Sequence, residues 1–435
     1  MKKALVILAS IVLLCMAGSL FAEAQAEGAS GKTKLTMYHL LNLSETTAQN
    51  FTDVMLPEFA ELHPDIQIEP EYLFNEPFHN KLQAMAVADT LPDIIFLWPG
   101  KRTGEVTGSG KIKDLRPWLS GHESEFAAMA MAPQGPNGEI YELPEQVTAT
   151  HVMFTNNKLL ADLGLEFPQT FEELLDQGQI MRDAGLIPIA MDNKDGWEMQ
   201  SCLASVLVER AAGQAWYDAA VSGNTDVAKY TDPEFVYSLE IIKILQDEEM
   251  FSPGINQADY GQALNAFVNE QAVFTIDGGW RANNMVSELT DEQKTYVTFK
   301  VLPDIPNQKG VSGSTSAVAG TGFGMNAKLS GDKADKAWDW IWYYSGPVGS
   351  KTRQAFGALP AYNLPVPGDA DPMVKALASF IAKTPMTYVL DAKMDAEGMG
   401  VFNPGVQEMM LGSKTAAQVA AEYEAWVAAN DSSRK

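Results

Sequence analysis

An aromatic, amide and charged set recurs at the ends of short apolar runs: His39 and Asn42; Phe74, Asn75 and Glu76; Trp98, Lys101 and Arg102; His151; Asp192 and Trp197; Trp280. Flat aromatic faces pack against the apolar C–H face of a ring, and amides and charged groups take its hydroxyls. Such a set suits a sugar. Gly320-Thr321-Gly322-Phe323 adds chain without bulk, so a ligand can approach the backbone closely at Gly322. Each residue alone has an ordinary structural role open to it. Their recurrence at one topological place carries the reading.

Other chemistries find less support. The five histidines (39, 63, 79, 122 and 151) show no metal-ligand spacing. There is no G-x-S-x-G elbow, P-loop or dinucleotide fingerprint. Paired carboxylates could hydrolyse glycosides, but no pair among the 56 acidic residues stands in an aromatic strand-end context. Tyr343-Tyr344 could hold ferric iron. They end a run in which Trp338, Ile341 and Trp342 share one helical face, so core packing is the better reading. The set of expected catalytic residues, metals and cofactors is therefore empty.

The elements that must position the set have a local signature. Val273 to Ile276 is a β-branched and aromatic run of strand length. Asp277-Gly278-Gly279 breaks it, and Trp280 is handed to a helix from Arg281 to Leu289. That design puts the indole at the carboxyl edge of a sheet, where α/β folds bind ligands. Leu91 to Leu97, ending in Trp98-Pro99-Gly100, repeats it. Around these runs the order is β-α-β-α-β: a strand at Lys34–Leu40, a helix from Glu45 capped by Ser44, a strand at Ile66–Glu69, a turn at Asn75-Glu76-Pro77, a helix at Phe78–Ala88 and a strand ending at Trp98. Lys309 to Gly320 reads as a glycine- and serine-rich loop before a strand at Gly322–Asn326.

The 435 residues leave room for two domains. A formal charge of −25 argues against nucleic acid, whose phosphates repel a like-signed surface. Lys2 and Lys3, an apolar run to Phe21, and Ala22, Ala24 and Ala26 form the layout of a secretory signal peptide over residues 1–26. An uncleaved membrane anchor is the competing reading. Cleavage removes Lys2, Lys3 and Glu23 and leaves a charge of −26. Cys15 raises lipid anchoring, but Leu14 precedes it where a small residue is normal. Cys202 is then the single cysteine, so no intramolecular disulfide forms.

With these pieces in order the chain resembles the extracellular solute-binding proteins of ABC importers, in the carbohydrate-binding cluster that includes maltose-binding protein. The resemblance rests on Leu91 to Trp98, Phe154 to Leu160, Pro168 to Leu174 with Ala184 to Ala190, Phe267 to Phe274 leading to Gly279-Trp280, Gly322 to Asn326, and the tail Val406 to Trp426. It implies a type II, two-lobe α/β fold, each lobe a mixed sheet flanked by helices, with three hinge crossings near Thr148–His151, Val301–Ile305 and Tyr344–Gly349. The lobes would be 27–148 with 303–345, and 149–302 with 346–435. It implies a sugar stacked on Trp98 and Trp280, with contacts from Asn42, Asn75 and Lys101 or Arg102. Relatives often place an acid ahead of the Phe154-Thr155-Asn156 strand. Here Ala149-Thr150-His151 stands there, and His151 takes over that contact. A permease partner, no nucleic acid, a monomeric state and an extracytoplasmic location follow. A binding protein for a polyamine or peptide, and a secreted carbohydrate-active enzyme, stay open as alternatives.

Overall fold

The computed structural model describes residues 31–43, 46–132, 134–394 and 396–430. The signal peptide, most of the leader and the Ser44 cap lie outside the described residues. Among the described residues ten strands form two sheets: β1 (Thr33–Leu40), β2 (Ile66–Leu73), β3 (Ile94–Leu97), β4 (Leu143–Ala149), β5 (Val152–Asn156), β6 (Ile187–Ala190), β7 (Ala272–Asp277), β8 (Val297–Lys300), β9 (Thr315–Met325) and β10 (Met386–Tyr388). The first sheet runs β10-β9-β3-β1-β2, with β4 paired to β9; the second runs β6-β7-β5-β8. β1 is parallel to β2 and β3, while β9 is antiparallel to β3 and β4. β5 is antiparallel to both β7 and β8. Both sheets are therefore mixed.

Each sheet has its own core. Leu35, Phe59, Phe78, Phe96, Phe323 and Trp340 centre the first; Phe171, Leu207, Phe235, Phe274 and Phe402 centre the second. β3 and β7 are buried along their whole lengths, as strands covered on both faces must be. Thr170 accepts from Glu173 N at 3.1 Å to start the helix Phe171–Asp183. Asp259 and Gln262 form a full capping box that starts the helix Tyr260–Val268 and sets Tyr260 at its first position.

The strands β4 and β9 join the two lobes. β4 begins at Leu143 in the first core and ends at Ala149, packed beside β5. β9 runs back beside it, and Thr150 N donates to Ser316 O at 2.7 Å. This corrects the loop expected over Lys309–Gly320: its second half, from Thr315, is strand. The pairing partner in β4 is about 170 residues away, so no local signal announces it. Packing also changes later than the expected boundaries at 303 and 346. Leu302 and Ile305 sit in the second core, and Arg210 holds this stretch through the carbonyls of Leu302 (2.6 Å), Pro303 (3.0 Å) and Ser314 (2.8 Å). Ala361 still packs in the first core, while Met373 packs beside β5 and β8.

Candidate ligand-binding site

A cavity of about 260 Å³ lies between the lobes. Trp98 reaches it from the first lobe, Trp280 from the second. Trp98 follows β3 directly, and its carbonyl accepts from the Thr103 hydroxyl, which folds the turn back. Trp280 opens the helix Arg281–Glu288. Its ring rests on Gly278: a Cβ there would stand 2.3–2.4 Å from three ring atoms. Only glycine lets the indole lie flat at that place. Trp197 and Tyr260 complete the second-lobe wall, with the Trp197 ring 5.9 Å from both Tyr260 and Trp280.

Amides gather around the indoles. Asn42, Asn50, Asn75, Gln146, Asn283 and Asn284 all line the cavity. Asn75 holds a left-handed backbone (φ 55°), which asparagine tolerates better than most residues. Its Nδ2 donates to Asp195 Oδ2 at 2.9 Å, from the first lobe to the second. The expected turn at Asn75-Glu76-Pro77 is instead the first turn of a helix, Asn75–Ala88. Pro77 fits there because the N–H it lacks has no helical partner in that turn.

The charged lining groups each have an ion-pair partner. Arg102, 5% exposed, donates to His79 Nε2 at 3.0 Å and pairs with Glu76. Arg353 pairs with Glu145 at 3.2 Å and donates to the Glu145 carbonyl at 2.7 Å. Tyr344 donates to Glu145 Oε2 at 2.7 Å, and Thr321 to Glu145 Oε1 at 3.2 Å. A pair of compensating bulges places this network. Pro144 faces Gly322 and Gln146 faces Thr321, so Glu145 is an extra residue in β4; Val147 then faces Ala319, so Gly320 is extra in β9. A bulge breaks strand alternation, which lets both Glu145 and Gln146 reach the cavity. Gly320 takes φ 96° there, a conformation suited to glycine. Burial, then the Arg353 charge, lowers the His39 pKa to about 3, so this lining imidazole is neutral.

The structure thus brings His39, Asn42, Phe74, Asn75, Trp98, Arg102, Trp197 and Trp280 to one cavity. Five other expected residues do not line it. Glu76 instead holds Arg102. Lys101 sits in a single 3-10 turn, Gly100–Arg102, outside the lining. His151 is fully buried: Nδ1 meets Cys202 O at 2.6 Å and Nε2 accepts from Leu302 N at 2.9 Å. It ties β5 to its neighbours, and a ligand has no ring nitrogen left to use. Asp192 is buried behind the wall, 4.0 Å from Arg281. Gly322 serves strand packing, since a Cβ would stand 1.9 Å from Leu143 O. Gly322→Ala should therefore cost about 1–3 kcal/mol of stability as an overpacked site, measured by denaturant unfolding. Residues that sequence reading missed are Glu145, Arg353, Thr321, Tyr260, Asn283 and Asn284. A helix-start signal at Asp259 marks Tyr260; for Arg353 no local signal exists. Among the described residues no cluster of three or more His, Cys, Asp or Glu could hold a metal ion.

Known proteins share this architecture. The profile of the family "Bacterial extracellular solute-binding protein" matches residues 44–351. The melibiose/raffinose/stachyose-binding protein MelE of Bacillus subtilis strain 168 is 20% identical over 287 residues, 64% of this chain and 63% of its own length. The multiple sugar-binding protein of Streptococcus mutans is 24% identical over 204 residues, 46% of this chain and 47% of that protein. The match spans less than two thirds of either curated relative. Among solved structures, a chitin oligosaccharide binding protein superposes with a TM-score of 0.80 at 22% identity, covering 90% of this chain and 98% of that one. A structure from work on xylan utilization by Caldanaerobius polysaccharolyticus gives 0.81 at 18%, covering 91% and 100%. At these identities the structural likeness speaks for the fold, a type II two-lobe arrangement. The family profile covers most of the chain, and the chain belongs to the bacterial extracellular solute-binding proteins.

Proposed function

We propose that this chain captures a sugar of one to a few rings in the interlobe cleft and delivers it to a membrane permease of an ABC importer. The observation that carries the reading is the lining: two indoles from opposite lobes, surrounded by amides, with Arg102, Glu145 and Arg353 each held in an ion pair. A neutral, hydroxyl-rich ring meets such a surface without stranding a charge. Paired charges also argue against a polyamine, which would need acidic groups in contact with it. The curated relatives named above bind sugars, which supports the same ligand class. A cavity of about 260 Å³ favours a short saccharide over a long chain.

Capture works by differential affinity. A sugar touching both walls stabilises the closed arrangement by the contacts it makes there and lacks in the open one. The reading needs no bond to be made or broken. A thermal-shift screen against mono-, di- and trisaccharides tests it. One sugar at about 100 times its dissociation constant should add about 2.7 kcal/mol of stability. No shift with any sugar, and a shift with a polyamine or peptide, would reverse the assignment.

A further inference from the structure

A hydrogen bond at the edge of the cleft runs from one lobe to the other. Asn75 Nδ2, in the first lobe, donates to Asp195 Oδ2, in the second, at 2.9 Å. Next to it the Phe74 ring of the first lobe lies 6.5 Å from the Tyr260 ring of the second. Phe74, Asn75 and Tyr260 line the cavity, while Asp195 does not. Asp195 is exposed, on the short loop between β6 and Trp197. The group its carboxylate meets belongs to the opposite lobe.

Both ends of the bond are fixed by their surroundings. On the second lobe, Asn193 N donates to Ile255 O at 3.0 Å and Lys194 N to Ala258 O at 3.2 Å. Gln407 Nε2 donates to the carbonyls of Asn193 (2.6 Å) and Lys194 (3.2 Å). Gly196 follows at φ 80°, and a Cβ there would stand 2.9 Å from Asn403 Cβ. On the first lobe, Asn75 is the first residue of a 14-residue helix and holds φ 55°. Phe74 stands at the cap position, and its side chain has no oxygen for the helix start. Asp195 brings a carboxylate there from the other lobe, and the positive end of the helix dipole favours it. Both side chains are short and stand on braced backbone, so pairing them costs little conformational entropy.

We propose that Asp195 is a positioning residue for capture: with Asn75 it latches the lobes in the closed arrangement, apart from any contact the sugar makes. Lobes that part must break this bond, so it stabilises the closed form alone. The bond contains no ligand atom and biases the open–closed balance with or without a sugar. Apparent affinity scales with the fraction of chain in the binding-competent form, so the latch tightens capture through that fraction.

Reversing the bond tests this. Asn75→Asp keeps a side chain that tolerates the left-handed backbone but sets two carboxylates face to face. Adding Asp195→Asn restores one amide and one carboxylate, with their lobes exchanged. In the ligand-free chain, small-angle scattering should give Asn75→Asp a larger radius of gyration than wild type, and the double variant should return to the wild-type value. A binding arm rests on the sugar reading. With raffinose and maltotriose as probes, Kd should rise about tenfold or more in Asn75→Asp and fall back to within about threefold of wild type in the double variant. A double variant that binds no better than Asn75→Asp would assign Asn75 to the ligand rather than to Asp195 and overturn the proposal. Scattering that does not differ among the three chains would overturn it too. If neither probe binds wild type, the sugar reading loses these ligands, and the scattering comparison alone decides the latch.

Discussion

Trp280→Ala should weaken sugar binding close to a hundredfold while leaving the fold intact. The indole lies flat on Gly278, so one face is spent on the backbone and the other is open to the cleft. A ring face that a sugar covers removes about 100 Å² of apolar surface from water, worth about 2.5 kcal/mol at about 25 cal/mol per Å². That is nearly two powers of ten in Kd. The fold should survive because Trp280 only borders the second core, whose centre is Phe274, Leu207 and Phe235. Titration calorimetry and an unfolding curve on the same sample separate the two effects. Unchanged Kd would remove Trp280 from the site.

Glu145→Ala should lower stability by about 3–5 kcal/mol, the usual cost of stranding a buried charge. Arg353 is 8% exposed and would lose its carboxylate; Tyr344 and Thr321 would lose their acceptor. The Arg353–Glu145 carbonyl bond would remain, because it uses the backbone. Adding Arg353→Met should recover part of the loss, since removing both charges leaves none unpaired. Denaturant unfolding of the two single variants and the double variant reads this coupling directly. Simple additivity of the single effects would show that the bulge network does not act as a unit.

What the sequence made legible was local. A strand, a glycine turn and a Trp lie within ten residues at Val273–Trp280, so the placement of both indoles could be read before any contact was known. The mixed, two-sheet architecture followed from the order of such units and from the family resemblance. Non-local arrangements stayed hidden. Glu145 and Arg353 are 208 residues apart and meet because paired bulges in β4 and β9 turn Glu145 inward. The same pairing turned a supposed loop at Thr315–Gly320 into strand. His151 looked like a ligand contact because it is polar at a strand start; the fold answers with two backbone partners instead. Gly322 looked like an opening for ligand, and the close approach is that of β4. In these cases residue type was read correctly as unusual, and the partner was misassigned because it comes from a distant strand or loop.

The proposed function requires a sugar held between Trp98 and Trp280. A crystal structure of the chain with the sugar that shifts its melting most tests this directly. The expected result is a closed cleft with sugar rings against both indoles and hydroxyls within hydrogen-bond reach of the surrounding amides. A sugar bound elsewhere, or one touching a single lobe with the opposite indole unoccupied, would contradict it.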